Sequence, residues 1–517
     1  MIRNTLLFGA LFLVQAGSAQ TTTSSAITSN NTAACPSSGT LPIQCKEAFP
    51  GQTDTRSGVA TQLYDRPAGN VSDDDIHSYI PNGSSTRIFA NFLLAYCTTD
   101  DGTGHCNNNV ITGYNSNDQN TAGAQAEDLI QRHIDGAVMT WEGPDTTADQ
   151  ATLKFQSYVN TSHCTGPQAC TPMYLAMIDG PSWQYNVMNT GVPGTSGASC
   201  SGLVDTPFEN CIIQHLRNDF CYLNGKHFGN NAYQKSVGRP IVQVFQDEAV
   251  ISATGPAPSW ADVWVQLSGW VSNLSGNCSV APYNADNGTP LVLFETANGF
   301  THQDTSGAYY WVEPNDAISN QFVSNVTKAS DTSNPGATLE YFYDQAASYP
   351  QDQIWGGAYK GFNNFTASTA FGTAKRLIDQ QCGTVWVDSL TESAAAYPSS
   401  PLPFLEIATW NDYNEGTEIE SGIDNCYTVG ASVDSSGLLS WSLNPTNATY
   451  AKLSTVAHVE VYDSTDGTNL TLLTSLPPAS SDSYSVAGLP SGNHTLYVLM
   501  VGKNSILNRI ATVSYTN

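Results

Sequence analysis

"GAVMTWEGPDTTADQATLKFQSYV", residues 136–159, runs from an unbroken apolar stretch into a segment of helical period. Gly136 to Trp141 shows no alternation of polar and apolar residues, as expected for a strand covered on both faces, and Asp149 to Val159 carries the spacing of an amphipathic helix. The same pairing recurs on either side of it. Strand-length runs are "RIFANFLLAYC", "GAVMTWEG", "MYLAMIDG", "PIVQVFQDE", "PLVLFETA", "AYYWVEP", "QIWGGAYKGF" and "FLEIATWND". Between several of them lie helical segments: "AGAQAEDLIQRHI", "DQATLKFQSYV", "PFENCIIQHLRNDFCYL", "PSWADVWVQLSGWVSNL", "TLEYFYDQAASY" and "TAKRLIDQQC". Eight such units predict a (β/α)8 barrel over residues 35–427. The link "NGFTHQDTSG" is too short for a full helix and leaves an open doubly wound sheet as the alternative fold.

After Cys426 the pattern changes. "GLLSWSLN", "AHVEVYDS" and "HTLYVLMV" alternate every second residue and are separated by turn-formers such as "STDGTN". Residues 428–517 are therefore expected to form a small all-β sandwich of fibronectin-III or immunoglobulin-like type, with Trp441 and Tyr497 in its core. No catalytic constellation is visible in these strands, so the barrel alone is expected to act on a soluble oligosaccharide.

Residues 1–19 read as a signal peptide: Arg3, the apolar run "LLFGALFLV", and small residues Gly17 and Ala19 before Gln20. Residues 20–34 are a Thr/Ser/Asn-rich leader. No other stretch approaches the roughly 20 apolar residues of a membrane span. Twelve Asn-X-Ser/Thr acceptors and twelve cysteines without CxxC spacing point to a disulfide-bonded glycoprotein, secreted to the extracellular space or cell wall. Cys97/Cys106 and Cys164/Cys170 are close enough to staple single loops. A net charge of −27 with 12% charged residues repels nucleic acid and anionic membranes. A neutral polysaccharide or oligosaccharide is the expected partner, and the chain is expected to be a monomer. The same charge also suits a protein kept soluble in an acidic medium.

In such a barrel the chemistry collects where the strands end. The runs end in Trp141-Glu142, Asp179, Asp247-Glu248, Glu295, Glu313 and Trp410-Asn411-Asp412. Glycosidic cleavage needs one carboxylic acid and a second carboxylate. Asp412 and Glu415 supply both if the chain turns between them, since residues three apart then share a side. Asn411 suits hydrogen bonding to sugar hydroxyls, and Trp410 and Tyr413 offer ring faces. Trp141, Glu142, Asp179, Asp247, Glu248 and Glu295 are the further substrate-binding candidates. Asp135 falls at the start of its strand and reads as a cap, and His105 and His133 read as structural. No spacing suggests a metal or another cofactor.

"TWNDYNEGTEIE" resembles the signature of the fungal α-1,3-glucanases of glycoside hydrolase family 71, Trp-Asn-Asp-Tyr-Gly-Glu, with Asn414 in place of the glycine. It is also similar to Asn-Glu-Trp-His-Glu-Gly-Thr of the family 99 endo-α-mannosidases, through Gly416-Thr417 but without the histidine. "HIDGAVMTWEGP" is similar to the second strand of these enzymes. The resemblance implies a (β/α)8 hydrolase whose essential carboxylates lie three apart, here Asp412 and Glu415. It points to an α-linked glucan, or to a mannan or other α-glycan. A cell-wall glycan binder without turnover is the reading from another class.

Overall fold

The computed structural model describes residues 71–517 except 95, 97–113, 189–198, 204, 247–259, 279, 303–304, 313–321, 324–337, 364–376, 395 and 466–469. The signal peptide, the leader, His105, the Cys97/Cys106 pair, Asp247, Glu248 and Glu313 lie outside the described residues.

Each of the eight runs contains a strand. These are β1 Arg87–Phe92, β2 Gly136–Trp141, β3 Met173–Asp179, β4 Arg239–Phe245, β5 Leu291–Glu295, β6 Gly307–Tyr309, β7 Gln353–Ala358 and β8 Phe404–Ile407. Every strand pairs in parallel with the next, and β8 pairs with β1, so the sheet closes into a barrel and the open-sheet alternative falls away. Helices α1 Gln119–Gln131, α2 Thr147–Ser162, α3 Gly180–Met188, α4 Asp205–Leu223, α5 Trp260–Val271, α6 Leu339–Ala346 and α7 Thr384–Thr391 lie between the strands. Their starts are chemically marked: Asp118 accepts from Asn120 N at 2.7 Å, Thr146 from Asp149 N at 3.2 Å and Thr338 from Tyr341 N at 3.1 Å.

Two links depart from the simple repeat. Between β5 and β6 the described residues make a 3-10 turn, Ala297–Thr301, in place of a full helix. The turn fits because a Cβ on Gly299 would lie 2.4 Å from the Phe294 carbonyl oxygen. The segment 373–382, expected to be helical, instead contributes the short strand Leu377–Ile378, which pairs with Phe362–Asn363 and Phe322–Val323, and the helix follows it as α7. Cross-strand partners outside the local window override the local period here.

Seven antiparallel strands follow: β9 Tyr427–Val433, β10 Leu438–Pro445, β11 Val456–Ser464, β12 Thr471–Leu476, β13 Ser481–Ser485, β14 Asn493–Gly502 and β15 Arg509–Thr516. They form sheets of order β9-β10-β13 and β12-β11-β14-β15. Leu439 and Trp441 of one sheet share a core with Val459, Val461, Leu496 and Val498 of the other. Tyr497 is buried but lies outside that core, because it alternates with Leu496 and Val498 onto the opposite face.

The sandwich is tied into the barrel. Ile506, in the turn between β14 and β15, belongs to the barrel's hydrophobic cluster. Beside it, Asn504 Nδ2 donates to the carbonyls of Asp74 and Arg132 at 2.7 and 2.8 Å, and Trp386 Nε1 donates to the Asn504 carbonyl at 2.8 Å. Ile423 pairs with Ile506, Arg509 bridges to Asp424 at 2.6 Å, and Cys382–Cys426 links α7's approach to the start of β9. The expected Cys164–Cys170 staple is present, with Cys200–Cys211 and Cys221–Cys278 as further bridges.

Candidate functional site

Residues paired across parallel strands share a face, and faces alternate along each strand, so the pairing register tells which side chains enter the barrel. Gln243 of β4 donates to Glu406 of β8 at 2.6 Å, across the full width of the barrel, which places both inside. Thr140 Oγ1 donates to Asn91 Oδ1 at 3.4 Å and Tyr309 reaches Met177 Sδ at 3.8 Å in the same layer. Two residues further along each strand, the interior positions are Glu142, Asp179, Phe245, Glu295 and Trp311. The carboxyls expected at the ends of β2, β3 and β5 therefore face one mouth. Phe245 and Trp311 share it, their ring centroids 4.8 Å apart.

Glu142 and Asp179 stand at the ends of neighbouring strands, and Asp179 acts on Glu142. Burial pushes Glu142 up to about 8, with the Asp179 charge adding to the effect. Burial also raises Asp179, against the Ser182 hydroxyl, which donates to it at 2.7 Å. One layer below, Glu406 is 0% exposed and burial raises it to about 8, with the Gln243 and Asn91 amides opposing. Glu406 on the floor and Glu142 on the wall of the mouth thus keep their protons at neutral pH.

The second group is the turn after β8. Asp412 Oδ1 accepts from the backbone N–H of Asn414 at 2.9 Å and of Glu415 at 3.0 Å, so the carboxylate itself closes the turn that brings residues three apart together. Gly416 follows at φ +61, where a Cβ would lie 3.0 Å from Asn363, and Asn363 N donates to the Glu415 carbonyl at 2.6 Å. Asp412 and Glu415 are both partly exposed.

The aromatic and amide neighbours of that turn serve it from behind. Trp410, expected to offer a ring face to sugar, is 0% exposed: it stacks on Phe92 at 5.5 Å, lies 4.8 Å from the Arg132 guanidinium and donates to Gln125. Asn411 is spent on β1's continuation, accepting from Leu93 N at 2.8 Å and donating to the Leu93 carbonyl at 3.1 Å. Tyr413 is buried and donates to Glu420 at 2.9 Å. Trp141 also points away from the mouth, donating to Asp149 at 2.8 Å; being next to the inward Glu142, it must face outward. Asp135 is the expected cap, accepting from Ile88 N at 2.8 Å and facing His77 at 3.2 Å.

Four features went unread in the sequence. Glu406 lies alone inside the apolar run "FLEIA", and Trp311 lies two residues past a strand's end; both signals were present. Lys360 and Glu418 form a fully buried ion pair at 3.0 Å. Glu420, raised by burial to about 7, accepts from Gln125, Tyr413 and Tyr114 under Arg132, whose guanidinium holds the Ile419 carbonyl at 2.7 Å. Cys200 and Cys211, which approach His215, are bonded to each other and have no thiolate to give a metal.

No family model and no curated protein matches the chain. Among solved structures, the chain is similar to a GH99 endo-α-mannosidase from Bacteroides thetaiotaomicron: 14% identity, TM-score 0.41, over 65% of this chain and 87% of that one. The same enzyme in complex with bis-tris-propane gives 13%, 0.40, 68% and 89%. A β-glucuronidase from Parabacteroides merdae gives 8% identity and TM-score 0.34 over 83% of this chain and 48% of that one. Likenesses this distant carry no functional argument; the barrel assignment rests on the chain's own strand pairing.

Proposed function

We propose that this chain is a secreted glycoside hydrolase that cleaves an α-linked polysaccharide, with α-1,3-glucan the first substrate to test. The observation that carries the reading is the convergence of carboxyls from separate strands on one end of the barrel: Glu142, Asp179 and Glu295 inside the mouth, and the Asp412–Glu415 turn after β8. Two-carboxylate cleavage needs two acids fixed relative to each other. The Asp412 carboxylate bonded to the Glu415 backbone supplies that fixity. Glu415 is assigned as the acid and Asp412 as base or nucleophile. Residues 35–427 form the catalytic part and 428–517 a fibronectin-III or immunoglobulin-like sandwich braced against it. Four disulfides among the described residues support an exported, extracellular protein, and the expected state is a monomer.

The test is reducing-end release from a panel of α- and β-glucans, mannan and arabinan by the protein and its Asp412→Asn and Glu415→Gln variants. Each variant is expected to lose at least ~10²–10⁴-fold in turnover while keeping its fold. Near-normal turnover in either removes the assignment. Cleavage of mannan but not glucan would favour an endo-α-mannosidase, and binding without new reducing ends would favour a glycan-binding protein.

A further inference from the structure

Glu142 is the ionisable group at the mouth that the turn after β8 leaves unused. It is 6% exposed, and among the described residues no donor or acceptor reaches its carboxyl, although its backbone carbonyl accepts from Asn186 Nδ2 at 2.8 Å. A carboxyl so buried and so unpartnered is aimed at something the fold does not provide. The register shows where it looks. Trp141 pairs with Ile178 and Asp179 with Phe245, so Glu142, Asp179 and Phe245 follow one another around the mouth and lead to Trp311. Two carboxyls beside two rings make a strip suited to a sugar, whose CH face meets aromatics while its hydroxyls meet oxygens.

We propose that Glu142 contacts the sugar as a neutral carboxylic acid, donating its O–H to a sugar oxygen seated against Phe245 and Trp311, while Asp179 accepts from a neighbouring hydroxyl. This role rests on the glycan reading above. The groups that face Glu142 fit it. Asp179 from β3 is the one charge that acts on it among the described residues; Glu295 from β5 and Glu406 from β8 face the same interior, and Asp149 and His227 lie behind the sheet with Trp141. Among the described residues no cation balances a negative Glu142 there: Lys360 is committed to Glu418, and Arg132 lies outside the barrel against Trp410. With burial and Asp179 raising it to about 8, the group holds its proton through the acidic and neutral range. The proton is kept by the carboxyl and not transferred.

The experiment uses the full chain with Glu415→Gln to prevent turnover, and α-1,3-gluco-oligosaccharide as probe, titrated calorimetrically from pH 5 to 9. Affinity is expected to fall about tenfold as pH passes 8, the weight of one hydrogen bond to a buried group. Glu142→Gln, whose amide still donates, is expected to bind within about threefold at pH 6 and to lose the pH dependence, whereas Glu142→Ala binds about tenfold more weakly throughout. A ligand-free readout runs beside it: since Glu406 also holds its proton to about 8, the infrared difference spectrum of the parent minus Glu142→Gln is the observable, and it should contain a protonated-carboxyl band at pH 6 that disappears near pH 8. If Gln and Ala are equally weak at pH 6, or if all three proteins bind alike, the neutral-donor role is overturned while the glycan reading stands. If the chain binds and cleaves none of the glucan or mannan oligosaccharides, the glycan reading falls and takes this role with it.

Discussion

Replacing Glu406 with glutamine measures what a carboxyl inside the barrel costs. Glu406 is fully buried, accepts from Gln243 across the barrel at 2.6 Å, and is raised from its ordinary 4.5 to about 8. In the unfolded chain it titrates at its ordinary value. Between those two values the folded protein binds one more proton than the unfolded chain, so its stability is full below 4.5 and falls as pH rises toward 8. At about 1.4 kcal/mol per unit, the loss from this group is roughly 3 kcal/mol by neutrality, and on the order of 5 kcal/mol once both states are ionised. Glutamine never ionises, and its carbonyl still accepts from Gln243. Glu406→Gln should therefore match the parent at pH 4.5 and exceed it by about 3 kcal/mol at pH 7, read from denaturant unfolding across pH 4–8.5. Glu142, at about 8, and Asp219 and Glu420, at about 7, tilt both curves alike, so the difference between the proteins is the observable. Two curves that stay parallel over that range would refute the reasoning.

Deleting residues 428–517 should leave no folded barrel, contrary to what the acid-poor strands suggest, because Ile506 leaves the core with them; solubility and circular dichroism of the truncated chain check it. The single change Ile506→Ala should cost ~2–5 kcal/mol in the full chain, measured by chemical unfolding. Removing the Cys382–Cys426 bridge with a double serine change opens a loop of sequence separation 44 and should cost about 4 kcal/mol, seen as a lowered Tm. Lys360→Met removes the ammonium paired with the buried Glu418 and should cost ~3–5 kcal/mol, much of it recovered by Glu418→Met in the same chain, which a double-mutant cycle reads directly. Cleavage should follow a bell with its optimum below neutrality, since both essential groups are carboxyls; loss of activity to a chelator would count against it.

What the sequence disclosed divides along a physical line. The barrel strands were legible because each is covered on both faces and reads as one apolar run, "MYLAMID" most plainly. The segment around Leu377 was not, since its partners Phe322 and Phe362 lie far off in the chain and no local period announces them. At the site, position along a strand was readable and facing was only half used. In "TWEG" the adjacent Trp141 and Glu142 cannot both look into the mouth, and the alternation already favoured the acid. Trp410 is harder: that its ring is covered by Phe92 and Arg132 depends on where α1 lies, which residues 404–416 do not encode.

The turn carrying Asn504 and Ile506 also bears on the order in which the protein can be made. The barrel's last strand ends at Ile407, yet the side chain that completes its core is translated only after the first six strands of the sandwich have been synthesised. A nascent chain bearing all eight barrel strands therefore still exposes apolar surface where Ile506 will sit, and must wait in that state while synthesis continues. Cys382 and Cys426 both precede Ile506 in the chain, so their bridge and the docking of the β14–β15 turn have the same unfinished intermediate open to them. Slowing translation between codons 408 and 506 should lengthen that exposure and raise dependence on folding helpers, even with every residue unchanged.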